Sequence, residues 1–408
     1  MGGRSAANRY SPIFPRFRMN HVANIAQDSR VQAAMAAFQA RQVEQLALIQ
    51  RIQQIPAPTF AEAARAAFVR QQMAALGLAD VGQDELGNTY GRFPGQSPIH
   101  PPIILSAHLD TVFPPATDLT VRQDGDLLYG PGIGDNSTGV AGLLLLASCL
   151  GEFKLRPKRD IWFVANVCEE GLGDLRGITA VVERFGPSAS YLVIEGGLFG
   201  HLSHQAIGVS RYRLEVTGPG GHSWGSFGNP SAIHVLARLI TAIDNLDPPQ
   251  QPRTTYNVGV IEGGNSVNSI AQSAVCLLDL RSEDPDILTT LVESVADKVR
   301  HMNRRYHKVG VKVAMTIIGQ RPAGSIPRDT PLVAQAFAAL KEVGVHSPIF
   351  IMGSTDANIP LSRGLTAVVL GLTESGNSHR LDEFINPARL PDGLSQLLLV
   401  TLAAAGYS

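Results

Sequence analysis

The sequence predicts an α/β architecture: a mixed sheet with helices on both faces, carrying a smaller α+β unit as an insertion. Three observations lead there. Short, continuously apolar runs alternate with helical periods over most of the chain, the pattern of strands buried on both faces. Between about residues 207 and 320 the order becomes β-α-β-β-α-β, the split βαβ arrangement of a small independent domain. The 408 residues, 44% of them hydrophobic and 17% charged, supply enough apolar material for a large core and more than one domain.

Taken in order, residues 1–29 carry Arg4, Arg9, Arg16 and Arg18 ahead of the first acid, Asp28. They lack the apolar centre of a secretory signal and read as a disordered tail. Residues 31–55 place Met35, Phe38, Val43, Leu46, Leu48 and Ile52 at helical spacing, and Pro56 and Pro58 end that helix. Thr59 and Glu62 match a capping box for a second helix, which stops at Gly77. Apolar runs at 103–107, 161–167, 191–194, 349–352 and 366–370 are the main-sheet strands. Within the insertion, 209–217 alternates as a half-exposed strand and 232–246 is helical. Residues 255–261 and 274–281 are strands, 287–301 is a helix and 311–317 the last strand. The predicted division is 30–206 with 321–408 for the larger domain and 207–320 for the inserted one.

Composition excludes several classes. Lys plus Arg number 34 against 35 Asp plus Glu, which removes the electrostatic case for nucleic acid or an anionic membrane as the main partner. The apolar run 139–150 is too short to span a bilayer. Cys149, Cys168 and Cys276 are widely spaced, with no Cys-x-x-Cys, so neither a disulfide framework nor a zinc knuckle is predicted. A reducing, cytoplasmic setting is the expectation.

The chemistry lies where acids and imidazoles fall relative to the strands. His108 and Asp110 follow the strand at 103–107, Glu169 and Glu170 the strand at 161–167, and Glu195 the strand at 191–194. Asp135 sits in a glycine-rich turn before a helix, and His379 in a loop after the strand at 366–370. Ligand sites in open α/β sheets form at the carboxyl ends of strands, so these residues can converge. Two histidines with several carboxylates suit a divalent metal centre of the kind zinc prefers. Paired metals need a bridging carboxylate, further ligands and a carboxylate outside the ligand set to take a proton from water. The Glu169-Glu170 doublet offers both kinds, and Asp110 is spaced to hold the far nitrogen of His108.

These residues fall in the segments SAHLDTV (106–112), GIGDNSTG (132–139), CEEG (168–171), IEG (194–196), GGHS (220–223), GSTDAN (353–358) and NSHRLDE (377–383). Their set and order resemble the M20 family of metallopeptidases and aminoacylases, most similar to its carboxypeptidase and aminoacylase branches. The resemblance implies a zinc-dependent exopeptidase-like catalytic domain with an inserted lid and dimerisation domain, two divalent ions (zinc) and hydrolysis of an amide bond. It implies that Asp135 bridges the ions, that His108 and Glu195 hold one, and that Glu170 and His379 hold the other. Glu169 would be the general base and Asp110 would orient His108. His222 would stabilise the oxyanion, often from the partner subunit of a homodimer, and Asn268, Arg281 and Gly353 would contact substrate. Asn136 departs from the acid many members carry after the bridging Asp. Glu195, where aminopeptidases of the family carry aspartate, implies the carboxypeptidase and aminoacylase branches, and Arg281, able to grip a carboxylate through two parallel hydrogen bonds, implies a short peptide or N-acyl amino acid with a free carboxylate. A tripeptidase or aminopeptidase is the runner-up. A catalytically inactive binding protein on the same scaffold is disfavoured by the presence of Glu169 and all five ligands.

Other signals compete weakly. Gly221-His-Ser-Trp-Gly225 matches the serine-hydrolase pattern with Ser223 as nucleophile, but it lies in the small domain, with no helix before about Pro230. Cys168 at a buried strand end reads as a packed thiol.

Overall fold

The computed structural model describes residues 16–408 apart from Pro98. The chain first lays down β1 (Ala79–Gln83), β2 (Thr89–Phe93), β3 (Ile103–His108), β4 (Ile161–Asn166), β5 (Ser190–Glu195) and β6 (His201–Ser203). Next come β7 (Gly208–Thr217), β8 (Thr254–Gly263), β9 (Ser273–Ser282) and β10 (Lys312–Arg321), then β11 (Ile349–Phe350) and β12 (Ala367–Gly371). The main sheet has eight strands in the order β1-β2-β4-β3-β5-β12-β6-β11. Its centre is parallel, β3 running with β4 and β5, and β5 with β12, while β2 and β6 join by antiparallel pairing. Consequently β3, β4, β5 and β12 all end on one edge of the sheet.

Alternation along these strands fills both faces. Ile103, Leu105 and Ala107 enter one core with Phe163 and Leu192, whereas Ile104 enters another with Val164, Tyr191 and Val193. Side chains of period two point to opposite faces, so a sheet covered on both sides requires near-continuous apolar runs. The helix Thr138–Glu152 packs into the first core. With the helical turn before it, the span Ile133–Glu152 is long and apolar enough to cross a bilayer, longer than the apolar run 139–150 suggests. It lies inside the fold, with 83% of its apolar window buried.

The inserted unit has its own core. Its sheet runs β8-β9-β7-β10, antiparallel throughout. Leu236 and Leu239 of the helix Ala232–Asp244 and Val295 and Val299 of the helix Pro285–Tyr306 meet Leu214, Cys276 and Leu280 there. A short pairing of Gly221–His222 with Ser269–Ile270 is absent from the sequence reading.

Three elements differ from expectation. The tail predicted for 1–29 is corrected from residue 16 onward, residues 1–15 lying outside the described residues. Arg16–Ala26 is a helix whose Val22 and Ile25 are buried in the main core, against the helices Pro331–Glu342 and Leu390–Ala404. Val22, Ile25 and Ala26 make an i, i+3, i+4 stripe, a signal hidden behind the basic residues before it. The single helix over 31–55 is two, Ser29–Ala40 and Gln42–Gln53, broken at Arg41. Two helical phases explain the irregular spacing: Phe38 and Ile49 are buried while Val43 is 83% exposed. The capping box at Thr59 does not form, because both side chains serve the site instead. Thr59 donates to Asp110 at 3.0 Å and Glu62 accepts the Cys168 N–H at 3.1 Å.

If the first helix belongs to the core, Ile25→Ala costs about 2 kcal/mol of stability, the low end for truncating a buried isoleucine. Urea unfolding at constant slope reads this as a lower midpoint; an unchanged midpoint would remove the helix from the core.

Candidate metal centre and its surroundings

Strand ends and turns bring the predicted ligands together. His108 is the last residue of β3, Glu195 the last of β5, and Glu169 and Glu170 follow β4. Asp135 comes from a turn entered at Gly132, whose φ of +70° is left-handed and suits glycine. Glu383 holds this turn from the far end of the chain. Its carboxylate accepts the N–H groups of Gly132 at 3.2 Å, Gly134 at 2.8 Å and Asp135 at 2.8 Å. Asn136 secures the other side, donating to the Ile194 carbonyl and accepting from Gly196 N–H, both at 2.8 Å. The departure from the family pattern is thus a clasp between the Asp135 turn and the end of β5.

Asp135 stands at the centre. Its Oδ1 lies 3.1 Å from His108 Nε2 and its Oδ2 3.2 Å from His379 Nε2. Glu170 Oε1 is 3.1 Å from the same His379 nitrogen, and Glu195 Oε2 is 3.9 Å from His108 Nε2. Ligand atoms of His108, Asp135 and Glu170 fall within 4.8 Å of one another. The five predicted ligands therefore gather around Asp135 on one cavity, a donor set suited to divalent metal. They line a cavity of about 250 Å³ together with Glu169 and Arg281.

Asp110 does more than the sequence predicts. Its carbonyl oxygen is 3.0 Å from His108 Nδ1, while its carboxylate stands 3.6 Å from that nitrogen. The carboxylate accepts the backbone N–H groups of Glu169 and Glu170, each at 2.9 Å. It shapes the glutamate turn as well as facing the imidazole.

The electrostatics follow from crowding acids out of water. Burial pushes Glu169 up to about 8 against the pull of Arg321 and His108, with Glu170 adding to the rise. Burial also lifts Glu195 well above the carboxylate range. Asp135 moves down, because its hydrogen bonds to His108 and His379 outweigh its burial. Its partners move up. His379 reaches about 10 through Asp135 and Glu170, and His108 rises well above the usual imidazole value despite its burial.

Several residues escape the sequence reading. Arg321, 4% exposed at the end of β10, donates Nη1 to Glu169 Oε1 at 2.9 Å and Nη2 to the Glu169 carbonyl. Asp356 is fully buried, accepts from Asn166 at 2.8 Å and is pushed up to about 6 by burial. Arg65, also fully buried, donates to the carbonyls of Leu109 and Ile55, bracing the chain around His108. Asp279 pairs with Arg281 Nε at 2.6 Å and Arg211 Nε at 3.0 Å, and both arginines line the cavity. These partners are far apart in sequence or carry no local motif, so no short pattern announces them.

The remaining candidates lie outside the ligand cluster. Gly353 bridges to Ala206, and its neighbours Ser354 and Thr355 line the cavity. His222 and Asn268 sit together on the short exposed pairing, where Ser223 N–H donates to the Asn268 carbonyl at 3.0 Å. They do not line the cavity that holds Asp135. Ser223 directly follows this pairing in the inserted unit rather than standing on a strand-to-helix turn of the main sheet, which removes the nucleophile reading. Cys168 is buried, and burial together with Glu62 pushes its thiol to about 12, so it stays protonated.

Comparison with known proteins decides the family. Residues 104–402 match the model for peptidase family M20/M25/M40. The chain belongs to this family. The M20 chain is similar to a peptidase T-like protein of Rhizobium meliloti, 25% identical over 84% of this chain and 91% of that one. It is also similar to carboxypeptidase G2 of Pseudomonas sp., 26% identical over 71% of this chain and 70% of that one. Its fold matches the crystal structure of a Staphylococcus aureus tripeptidase with a TM-score of 0.75 at 24% identity, covering 90% of this chain and 99% of that one. As an M20 member it is a metallopeptidase or amidohydrolase.

The raised imidazole of His379 has a measurable consequence. A histidine with its pKa near 10 is protonated at pH 7, yet imidazole ligates metal only in its neutral form. If His379 is a ligand, as the sequence reading expects, divalent metal binding at pH 7 is expected to release at least about one proton per chain, and affinity to rise with pH. Calorimetric titrations in buffers of different ionisation enthalpy read the release; identical heats in all buffers would exclude it.

Proposed function

We propose that this M20 protein is a two-zinc amide hydrolase acting on a short peptide or N-acyl amino acid that ends in a free α-carboxylate. The observation that carries the reading is the splayed carboxylate of Asp135, with one oxygen beside His108 and the other beside His379. In this reading Asp135 would be shared by two ions, of which His108 and Glu195 would hold one and Glu170 and His379 the other. The ions, when bound, supply Lewis acidity, polarising the scissile carbonyl and bringing a water pKa towards about 7.

The chain's own groups do the rest. Glu169 faces the cavity without belonging to the five ligands, so it is free to take the proton of the attacking water and pass it to the leaving nitrogen. Arg281, held at Nε by Asp279, has its terminal amino groups for a two-point grip on the substrate carboxylate. Ser354 and Thr355, beside Gly353, line the cavity around the substrate. His222 and Asn268 belong, in this reading, to the active site of a second copy in a homodimer built through residues 207–320. The β8 edge of that unit presents Val260 and Ile261 half-exposed, a surface for symmetric pairing. His222 then stabilises the tetrahedral oxyanion across the interface.

A tripeptidase or aminopeptidase reading is supported by the peptidase T-like relative, which covers 84% of the chain. Glu195 favours the first reading, and Arg281 makes the two separable.

Purified zinc-loaded protein is expected to prefer N-acyl amino acids and short peptides over their C-terminal amides by about 10–100-fold, the range of a charge-assisted contact. Arg281→Ala is expected to lower activity on the acid and abolish most of that preference. Cleavage of a free-amine, C-terminally amidated peptide as readily as the acid would transfer the assignment to the aminopeptidase reading.

A further inference from the structure

We propose that Arg321 is a positioning residue that sets the Glu169 carboxylate and makes its placement depend on the inserted unit. The proposal rests on the reading of Glu169 as general base and adds what holds it there. Arg321 is the last residue of β10, the strand by which the chain leaves the inserted sheet, and Pro322 follows with no N–H to continue the ladder. Its guanidinium touches three atoms at once: Glu169 Oε1 at 2.9 Å, the Glu169 carbonyl, and Ser354 Oγ at 3.1 Å. Its Nε is buried without a partner. A group placed only to neutralise a buried acid needs one contact. This fork grips both the carboxylate and the backbone of the same residue, which fixes a side chain's direction as well as its charge.

Two further bonds tie the same segment to the same unit. Asp174, five residues beyond Glu169, accepts the Gln320 backbone N–H at 2.8 and 2.9 Å. Arg211 on β7, the strand by which the chain enters the unit, donates to the Gly171 carbonyl at 2.6 Å. The segment from Glu169 to Asp174 is therefore fastened to the entering and leaving strands of the inserted sheet. Any displacement of that sheet carries the base with it.

A double-mutant cycle between Arg321→Met and Glu169→Gln tests this on the zinc-loaded protein, with metal content and melting temperature measured on every variant. Arg321→Met is expected to lower kcat about 100-fold, the cost of misplacing a reacting group by about 1 Å, with KM within about threefold. In the Glu169→Gln background the same change is expected to cost less than about threefold, because a residue acting through Glu169 has nothing left to position. Arg321→Lys is expected not to restore kcat, since an ammonium cannot span the three acceptors. Should Arg321→Met fail to fold, Asp174→Ala, which loosens Gln320 next to Arg321, is expected to lower kcat alone and only when Glu169 is present.

Independent, multiplying losses of Arg321 and Glu169 would overturn the proposal, as would a change confined to KM or full activity of Arg321→Lys. Ordinary turnover by Glu169→Gln itself would instead overturn the base assignment and the proposal with it. Loss of zinc without loss of melting temperature would recast Arg321 as a support of the ligands and overturn its positioning role.

Discussion

The carboxylate of Asp135, held between two imidazoles, is the interaction on which the site depends. Around it the fold buries Asp110, Glu169, Glu170 and Asp356, with Glu195 close by, an accumulation of acid that water would disperse. Protein cations offset only part of it. His108 and His379 answer Asp135, and Arg321 answers Glu169. The remaining excess shows as carboxyl groups displaced upward by burial, Glu169 to about 8 and Asp356 to about 6. A site tuned to hold divalent cations has this signature, since the cations supply the missing charge and release the protons.

The rest of the structure keeps that arrangement from relaxing. Parallel pairing of β3, β4 and β5 presents His108, the glutamate doublet and Glu195 on one edge of the sheet. The Asp135 turn is fastened to this edge by Asn136 and to the carboxyl-terminal part of the chain by Glu383. Arg65 closes the back by donating to the carbonyls of Gln53 and Ile55, just before Pro56, and to that of Leu109. Each clasp joins distant stretches of chain, so the geometry of the centre is a property of the whole larger unit.

This division of labour explains what could be read from the sequence. His108, Glu169, Glu170 and Glu195 were legible as candidates because each follows a continuously apolar strand, a local feature, while Asp135 was marked by its glycine-rich turn and His379 by the loop after another strand. The β-α-β-β-α-β order was legible for the same reason, each period lying within a dozen residues. The clasps were not: Glu383 acts 248 to 251 residues from its partners, and Arg321 152 residues from Glu169. Nothing local distinguishes Arg321 from the last arginine of any surface strand. Local rules also misled where tertiary contacts took precedence. Thr59 and Glu62 have capping-box spacing, but Asp110 and the Cys168 amide claim their side chains. The helix Arg16–Ala26 hides a three-residue apolar stripe behind basic residues, and its burial is provided by helices from the other end of the chain.

The proposed centre depends on Asp135 being shared by two ions. Anomalous diffraction at the zinc edge from zinc-loaded crystals tests it most directly. Two peaks per chain are predicted, one within bonding distance of Asp135 Oδ1 and His108 Nε2, the other of Asp135 Oδ2 and His379 Nε2. A single peak, or two peaks of which only one touches Asp135, would contradict it.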